Sequence, residues 1–393
     1  MEKEYYNIKG ACDELDDILD FANMVFSMSS DSIDFSTCIP KAYASGRGAN
    51  IVHNFIKEND RIKALIDVYE LKLSLSGENE QLKAGYIGTV SVHPKSRNQG
   101  YMIELMEKAE EQQRQSGTDI LILDGNRHRY QHFGFEKAGI KYCFNITADS
   151  IRHTCLDLSG QDTCTEYSFE PVTDENELVD SMYSLYLKRN IIARDRENFI
   201  DCLKSWQADT YAVMNADKCI GYINVSADER SIYEFELEDA DTLPFVIDSL
   251  MKEFSLYELG INVGTDEVHK INVLEGMSDY FQVSMSHQIK ILNYKHVLRF
   301  LFMWKKQYAV LKDGVFTIGV QGEGNYTIQI QNGEAAVYDS HIKPDIEYSP
   351  MELIKIFTTA YYYHEIQKTD SVLKNAPEGW LPLPFFLPEA DAF

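Results

Sequence analysis

Apolar residues recur at helical spacing from Asp13 to about Phe26 (Leu15, Ile18, Leu19, Phe21, Ala22, Val25), which predicts an amphipathic helix. After the turn-rich Ser45-Gly46-Arg47-Gly48, the alternating runs Ile51–Ile56 and Ile62–Leu75 suit hairpin strands. The polar stretch Ser76–Gln81 reads as a turn and Ala84–Val92 as a further strand. A helix from Gly100 to about Gln115 leads into the short apolar run Asp119–Leu123. Strand, helix and strand in that order make a crossover with parallel pairing, the unit of an α/β layer.

A polar patch, Leu158–Glu166, is the first boundary region, and beyond it the order of elements repeats. Helices are expected over Glu175–Arg189 and Glu197–Trp206, and strands over Tyr211–Met214, Cys219–Val225 and Ile232–Leu237. A helix over Leu243–Phe254 and a strand over Leu259–Val263 follow, so the second stretch reads as a duplicate of the first fold. The last hundred residues change character. Asp313-Gly314, between Tyr308–Leu311 and Val315–Val320, and Asn332-Gly333, between Tyr326–Ile330 and Ala335–Tyr338, signal two hairpins. Ser349-Pro350-Met351-Glu352 is a capping box that opens a helix running through Tyr361–Glu365. The proline-rich end, Trp380–Pro388, must be extended.

The chain has 393 residues, enough for two to three domains at roughly 150 residues each. Its 37 Lys and Arg against 62 Asp and Glu leave a net charge of −25. That argues against a nucleic-acid partner, which needs clustered cations, and suits either a cationic substrate or simple solubility. No stretch approaches the run of about 18 apolar residues that spans a membrane, and no secretion signal opens the chain. The seven cysteines, Cys12, Cys38, Cys143, Cys155, Cys164, Cys202 and Cys219, are odd in number and lack C-x-x-C spacing. They read as reduced thiols of a cytoplasmic protein without a membrane partner.

Chemistry concentrates where the strand ending at Val92 meets Pro94, a basic loop and the helix start at Gly100. Amides at a helix start lack internal partners and lie at the positive end of the dipole, so they can cradle a pyrophosphate. Lys95 and Arg97 carry no acid between them, and Arg127 and Arg129 add a second basic island. His128 and His132 lie four apart, but a third ligand and H-E-x-x-H spacing are missing, so no metal is expected. His364-Glu365 reads as a structural or solvated pair, and Tyr361–Tyr363 as core or subunit packing.

Val90-Ser-Val-His-Pro-Lys-Ser-Arg-Asn-Gln-Gly-Tyr-Met102 resembles the signature V-x-V-x-P-x-x-R-x-x-G-x-G/A of the GNAT acetyltransferases, with Val90, Val92, Pro94, Arg97 and Gly100 in place. Leu123-Asp-Gly-Asn-Arg-His-Arg-Tyr-Gln-His-Phe-Gly-Phe135 resembles its second half, and two halves in order make a strong joint signal. Met102, where most of the superfamily has Gly or Ala, is similar to the Eis-like (enhanced intracellular survival) subfamily. That resemblance implies an α/β and α+β chain of tandem GNAT domains. The catalytic one spans 1–147, a degenerate one 148–288, and a sterol-carrier-protein-like domain 289–393. The second lacks the signature and carries Glu238-Asp-Ala-Asp241 before its helix, which would repel a pyrophosphate, so one cofactor site is expected.

The resemblance further implies acetyl-CoA as cosubstrate and direct attack by a small cationic amine: an aminoglycoside, a polyamine or a lysine side chain. The backbone of Val90, Ser91 and Val92 would hold the acetyl end, the Val92 N–H polarising its carbonyl. Arg97, Asn98, Gln99, Gly100, Tyr101, Met102 and Ile103 would bind pyrophosphate and pantetheine, with Gly125 and Asn126 facing the cofactor. Tyr130 corresponds to the general acid, and a phenol of pKa about 10 is protonated at neutral pH. The general base would be the α-carboxylate of Phe393, with Asp391 helping to attract the cation; the alternative is a frayed tail. A homo-oligomer such as a hexamer is implied. The competing readings are an acetyl-CoA sensor without catalysis or a carrier of an apolar ligand; Tyr130, needed only by an enzyme, separates them.

Overall fold

The computed structural model describes residues 3–10, 12–28, 32–44, 46–159, 166–173, 177–189, 191–228 and 230–393. Ser45, Cys164, Glu229, the expected helix start at Glu175 and most of the boundary Leu158–Glu166 lie outside them. The chain forms two compact units: Met1–Gly139, Ser286–Phe385 and Phe393 make one, Ile140–Met285 and Phe386–Ala392 the other.

The first unit opens with β1 (Lys3–Lys9), then helix α1 (Leu15–Phe26) and the short turns α2 (Phe35–Cys38) and α3 (Pro40–Tyr43). Strands β2 (Ile51–Glu58), β3 (Arg61–Ser74) and β4 (Gln81–Val92) form an antiparallel meander beside β1. Helix α4 (Tyr101–Gln115) carries the crossover to β5 (Ile120–Leu123), which pairs parallel to β4 as the pattern predicts. Leu105, Met106 and Ala109 of α4 pack on Ile66, Val68 and Leu121, burying one stripe against the sheet. The short α5 (Arg127–Gln131) and β6 (Glu136–Lys137) follow.

The second unit begins with β7 (Lys141–Thr147) and α6 (Ala148–Ser159), continues through β8 (Ser168–Pro171), α7 (Val179–Arg189) and α8 (Phe199–Lys204), and then builds β9 (Asp209–Asn215), β10 (Lys218–Val225) and β11 (Ser231–Leu237). After α9 (Leu243–Glu253), β12 (Glu258–Gly264) returns parallel to β11; α10 (Val268–Met277) and β13 (Tyr280–Ser284) close the unit. Its sheet order is β8-β9-β10-β11-β12-β7-β13. The chain then re-enters the first unit at β14 (Gln288–Ile291), which pairs with both β5 and β6, giving β1-β2-β3-β4-β5-β14-β6. Each sheet is thus an antiparallel meander, one parallel step, and a strand inserted before the last. The inserted strand comes from before the meander in one sheet and from far beyond it in the other.

The remainder of the first unit is helix α11 (Tyr294–Lys306), the sheet β17-β16-β15-β18 built from β15 (Gly314–Val320), β16 (Gly324–Gln331), β17 (Glu334–Ser340) and β18 (Ile346–Tyr348), and helices α12 (Pro350–Thr358) and α13 (Tyr361–Glu365). The Asn332-Gly333 hairpin forms, with φ of 53° and 77° as its turn requires. The Asp313-Gly314 hairpin does not. Tyr308 and Ala309 donate back to the Lys305 carbonyl, so this stretch finishes α11 rather than starting a strand. The capping box at Ser349 is present, but the helix breaks at Thr359, whose backbone turns extended, before α13 begins.

The extended end is buried rather than frayed: Leu383, Phe385, Phe386, Leu387 and Ala390 are all under 5% exposed. In the second unit Asp391 accepts from Arg194 Nε and Nη2 at 2.8 and 2.7 Å, and Arg194 also donates to both oxygens of Glu234 at 2.9 and 2.6 Å. The guanidinium lies 4.6 Å from the Tyr186 ring. The expectation that Asp391 attracts a cationic substrate is therefore corrected, because its charge is already paired and shielded from solvent. Removing Arg194 strands two buried carboxylates, so Arg194→Ala is expected to cost about 3–5 kcal/mol, read as a lower denaturation midpoint.

Candidate active site

The loop after β4 makes a short turn over Pro94–Ser96, with the His93 side chain accepting from the Lys95 amide at 3.2 Å. Asn98 and Gly100 then take left-handed φ of 62° and 81°. Asn tolerates that region through its short polar side chain, and Gly adopts it freely. Gly100 is the N-cap of α4, and a Cβ there would meet nothing within 4 Å, so the approach to the helix start is open. The first helical bond runs from Glu104 N–H to Gly100 O, which leaves the amides of Tyr101, Met102 and Ile103 as donors without an i−4 carbonyl.

Arg97, Asn98, Gln99 and Gly100 are exposed around this start, and Arg97 makes no ion pair among the described residues. Tyr101 contributes only its backbone, because its buried ring turns away and its hydroxyl donates to Glu58. That hydrogen bond, with lesser help from burial, pushes the Tyr101 phenol up to about 12. The second basic island is smaller than expected. Arg127 is clamped by both oxygens of Glu136 at 2.6 Å, which leaves Arg129 as its exposed cation.

Strand β4 parts from β5 inside this site. Their parallel pairing ends at Ile87 and Leu123, whereas β4 stays paired with β3 as far as Val92. The β3 register shifts between Leu65 and Asp67, so Thr89 and Val90 bulge opposite Ile66, and Thr89 takes a φ of 47°. A β-branched residue in that region is an outlier. Because the His93 N–H bonds to the Lys63 carbonyl at 2.8 Å, the Val92 N–H one residue earlier faces the opposite edge, the one β5 has left. Ser91 is turned inward, its hydroxyl donating to the Thr89 carbonyl at 2.6 Å.

Beyond β5, Gly125 has a φ of 131°, and a Cβ there would lie 2.9 Å from the Tyr130 ring. Asn126 caps α5 by accepting from the Arg129 amide, which places Tyr130 on the inner face of that turn, edge-on to Phe135 at 6.4 Å. Burial raises the Tyr130 phenol above its ordinary value, opposed by the nearby Arg129. Asp124, just before Gly125, binds the Tyr86 hydroxyl and His287 Nδ1, both at 2.6 Å. Burial works against its ionisation, but His287 and Tyr86 outweigh it and hold the carboxyl at about 2.

Phe393 lies in the first unit, its ring between Tyr43 and Tyr69 with centroids 5.8 and 5.5 Å away. Its main-chain oxygen would be 2.9 Å from a Cβ on Gly88, next to the bulge. Sequence reasoning missed the polar group beneath it. Asp67 on β3, 0% exposed, receives Tyr43, Thr89 and His53, which come from α3, β4 and β2. Burial pulls the His53 imidazole down, yet Asp67 beside it brings the net shift upward. A sequence signal existed in His53, which follows Ile51 and Val52, and in Asp67, set between Ile66 and Val68.

Among the described residues no group of three or more His, Cys, Asp or Glu side chains could hold a metal, and no helix is long and apolar enough to cross a membrane. His128 is exposed, and Glu365 pairs with Lys368. The junction before α9 in the second unit is lined by Glu238, Asp239 and Asp241, with Asp239 capping its own turn.

Residues 9–138 match the family model for an acetyltransferase (GNAT) domain, so this part of the chain is an acetyltransferase domain of GNAT type, a fold that implies an acyl-CoA cosubstrate. Similar solved structures include a probable N-acyltransferase of unknown function from Enterococcus faecalis, 11% identical, covering 99% of this chain and 98% of that one, TM-score 0.69. A GCN5-related N-acetyltransferase from Anabaena variabilis is 16% identical over 99% of this chain and 100% of that one, TM-score 0.68. Eis1 from Mycobacterium abscessus is 12% identical over 99% and 100%, TM-score 0.64. At these identities the likeness is one of fold. A search of curated proteins finds no match.

Gly88 has an ordinary backbone, so Gly88→Ala tests the packing of Phe393 directly. The added methyl, 2.7 Å from the Phe393 ring, is expected to displace that residue and lower acetyl transfer by about tenfold or more, measured as CoA thiol release.

Proposed function

We propose that this chain transfers acetyl from acetyl-CoA to the amine of a small cationic acceptor, an aminoglycoside, a polyamine or a lysine side chain, by direct attack. The observation that carries the reading is the parting of β4 from β5 beside the open N-terminus of α4. Among the described residues it leaves one strand edge unpaired by β5 and one set of helix amides without i−4 carbonyls at adjoining places, which suits a thioester arm and a pyrophosphate. In this reading Arg97 through Ile103 bind the pyrophosphate, and Val90, Ser91 and Val92 hold the acetyl end with the Val92 N–H on the carbonyl oxygen. Gly125 and Asn126 face the pantetheine arm.

Tyr130 protonates the departing thiolate. Burial suits it to that task, since a phenol with a raised pKa stays a proton donor across the whole neutral range. A terminal α-carboxylate on Phe393, set beside Gly88, takes a proton from the acceptor's ammonium and so frees the neutral amine that attacks the thioester carbonyl. The chain's net charge of −25 favours a cationic acceptor. The repeated sheet pattern supports a second, degenerate GNAT domain, and its acidic junction before α9 argues for one cofactor site. The four-stranded sheet with α11 and α12 is read as the sterol-carrier-like domain of an Eis-like protein, cytoplasmic and homo-oligomeric.

Tyr130→Phe is expected to lower kcat by roughly 10²–10⁴-fold in a thiol-release assay with a panel of amines. In the wild type, the loss of rate at high pH that belongs to Tyr130 falls above pH 10, because the folded pKa is raised and the acid form persists until that value is passed. Undiminished turnover in Tyr130→Phe would remove it as the acid. Adding one alanine after Phe393 moves the carboxylate and is expected to abolish turnover while acetyl-CoA still binds; full activity in that variant would assign the base elsewhere.

A further inference from the structure

Thr89 is the residue at which β4 departs from its regular path, and its left-handed backbone, with φ of 47°, is one that a β-branched side chain does not adopt unaided. Two features of its surroundings account for it. The extra residue of the bulge sits on β4, opposite Ile66, immediately after the last β4–β5 pair. The Thr89 hydroxyl also donates to Asp67 Oδ2 at 2.8 Å. Asp67 is held in turn by Tyr43 on the same oxygen at 2.6 Å and by His53 Nδ1 on the other at 2.8 Å. The Tyr43 hydroxyl further contacts Thr89 Oγ1 at 3.1 Å. All four side chains are buried, and His53 Nε2 has no hydrogen-bond partner among the described residues, so its described polar tie is to Asp67.

We propose that Asp67 and Thr89 are positioning residues for acyl transfer: the Asp67 carboxylate, braced by His53 and Tyr43, fixes the Thr89 bulge and thereby aims the Val90–Val92 backbone at the thioester carbonyl. This rests on the acyl-CoA site proposed above and deepens it by naming what orients its backbone donor. A backbone N–H polarises a developing oxyanion only when its direction is fixed before the reaction. A strand edge released by β5 on one side has lost half of its constraint, and the side-chain tie from the other side replaces it. Four elements, α3, β2, β3 and β4, meet on one carboxylate to supply that tie.

The test compares the full-length chain with Thr89→Val, which keeps the branched shape and loses the hydroxyl, and with Thr89→Ser, which restores the hydroxyl. Acetyl-CoA carrying carbon-13 at the thioester carbonyl is bound to each, and the carbonyl stretch is read by difference infrared spectroscopy beside kcat, acetyl-CoA affinity and melting temperature. The wild type is expected to lower the stretch relative to free acetyl-CoA, and Thr89→Ser to recover most of that shift. Thr89→Val is expected to lose the shift and about 10–100-fold in kcat, with affinity changed by less than about threefold.

A Thr89→Val chain with the wild-type stretch and kcat overturns the inference, as does a Thr89→Ser chain as impaired as Thr89→Val. A fall in activity that only follows a lower melting temperature, with the stretch unmoved, shows a purely structural role and also overturns it. Wild-type protein that binds acetyl-CoA with a lowered stretch but acetylates no amine leaves the inference standing and removes the proposed acceptor. Wild-type protein that binds no acetyl-CoA removes both.

Discussion

A strand in the middle of a sheet normally spends its backbone hydrogen bonds on both neighbours, and β4 does so only as far as Ile87. From Gly88 onward β5 gives up one edge while β3 keeps the other. The rest of the site depends on this parting. It exposes donors where an extended ligand arm can pair as a substitute strand, and it makes room for the chain's last segment beside Gly88. Interior sheet polar groups left unpaired are costly, so the parting is stable only if something occupies or solvates the vacated edge. A site that takes a ligand in place of a strand therefore follows from the same hydrogen-bond accounting that makes sheets.

Each unit also contains a buried charge cluster, and the two are built by different means. Asp67 gathers hydroxyl, hydroxyl and imidazole donors around one carboxylate in the first unit. Arg194 gathers two carboxylates around one guanidinium in the second, and so ties down Asp391 two residues before the chain's last position. Such clusters add little net stability, because desolvation offsets most of the attraction. They do constrain geometry, since a buried charge with its partners removed is strongly unfavourable.

The parts of the molecule legible in the sequence are those fixed by local chemistry. Pro94 ends strand pairing, Asn98 and Gly100 accept left-handed backbone, and Ser349 with Glu352 closes a cap, each within a few residues. The α1 stripe was legible because one face of the helix meets the core, and the β2 and β3 runs because both strands are buried along almost their whole length. Helix α11 was not. Although Lys295 and Arg299 mark an exposed side, Phe300–Trp304 is an unbroken apolar run, which periodicity alone does not assign to helix or strand. Strand β1 failed in the opposite way: as an edge strand, it has residues on both faces partly exposed, and its pattern does not alternate. The Asp313-Gly314 pair forms no hairpin turn, because Gly314 opens β15 and the stretch before it comes from the end of α11.

Harder still were features that exist only through contacts distant in sequence. The strand Gln288–Ile291 completes a sheet whose neighbours end near position 137, and nothing in its four residues announces that destination. The same holds for the site. The motif residues that would touch a cofactor were readable because the loop that carries them is continuous. The residues that aim the loop were not, because Tyr43, His53, Asp67 and Thr89 belong to four elements and become a group only when the sheet forms. A polar residue inside an apolar strand is the one trace such a group leaves in a single sequence. His53 and Asp67 both carry it, 14 residues apart on paired strands, and their register places them opposite each other.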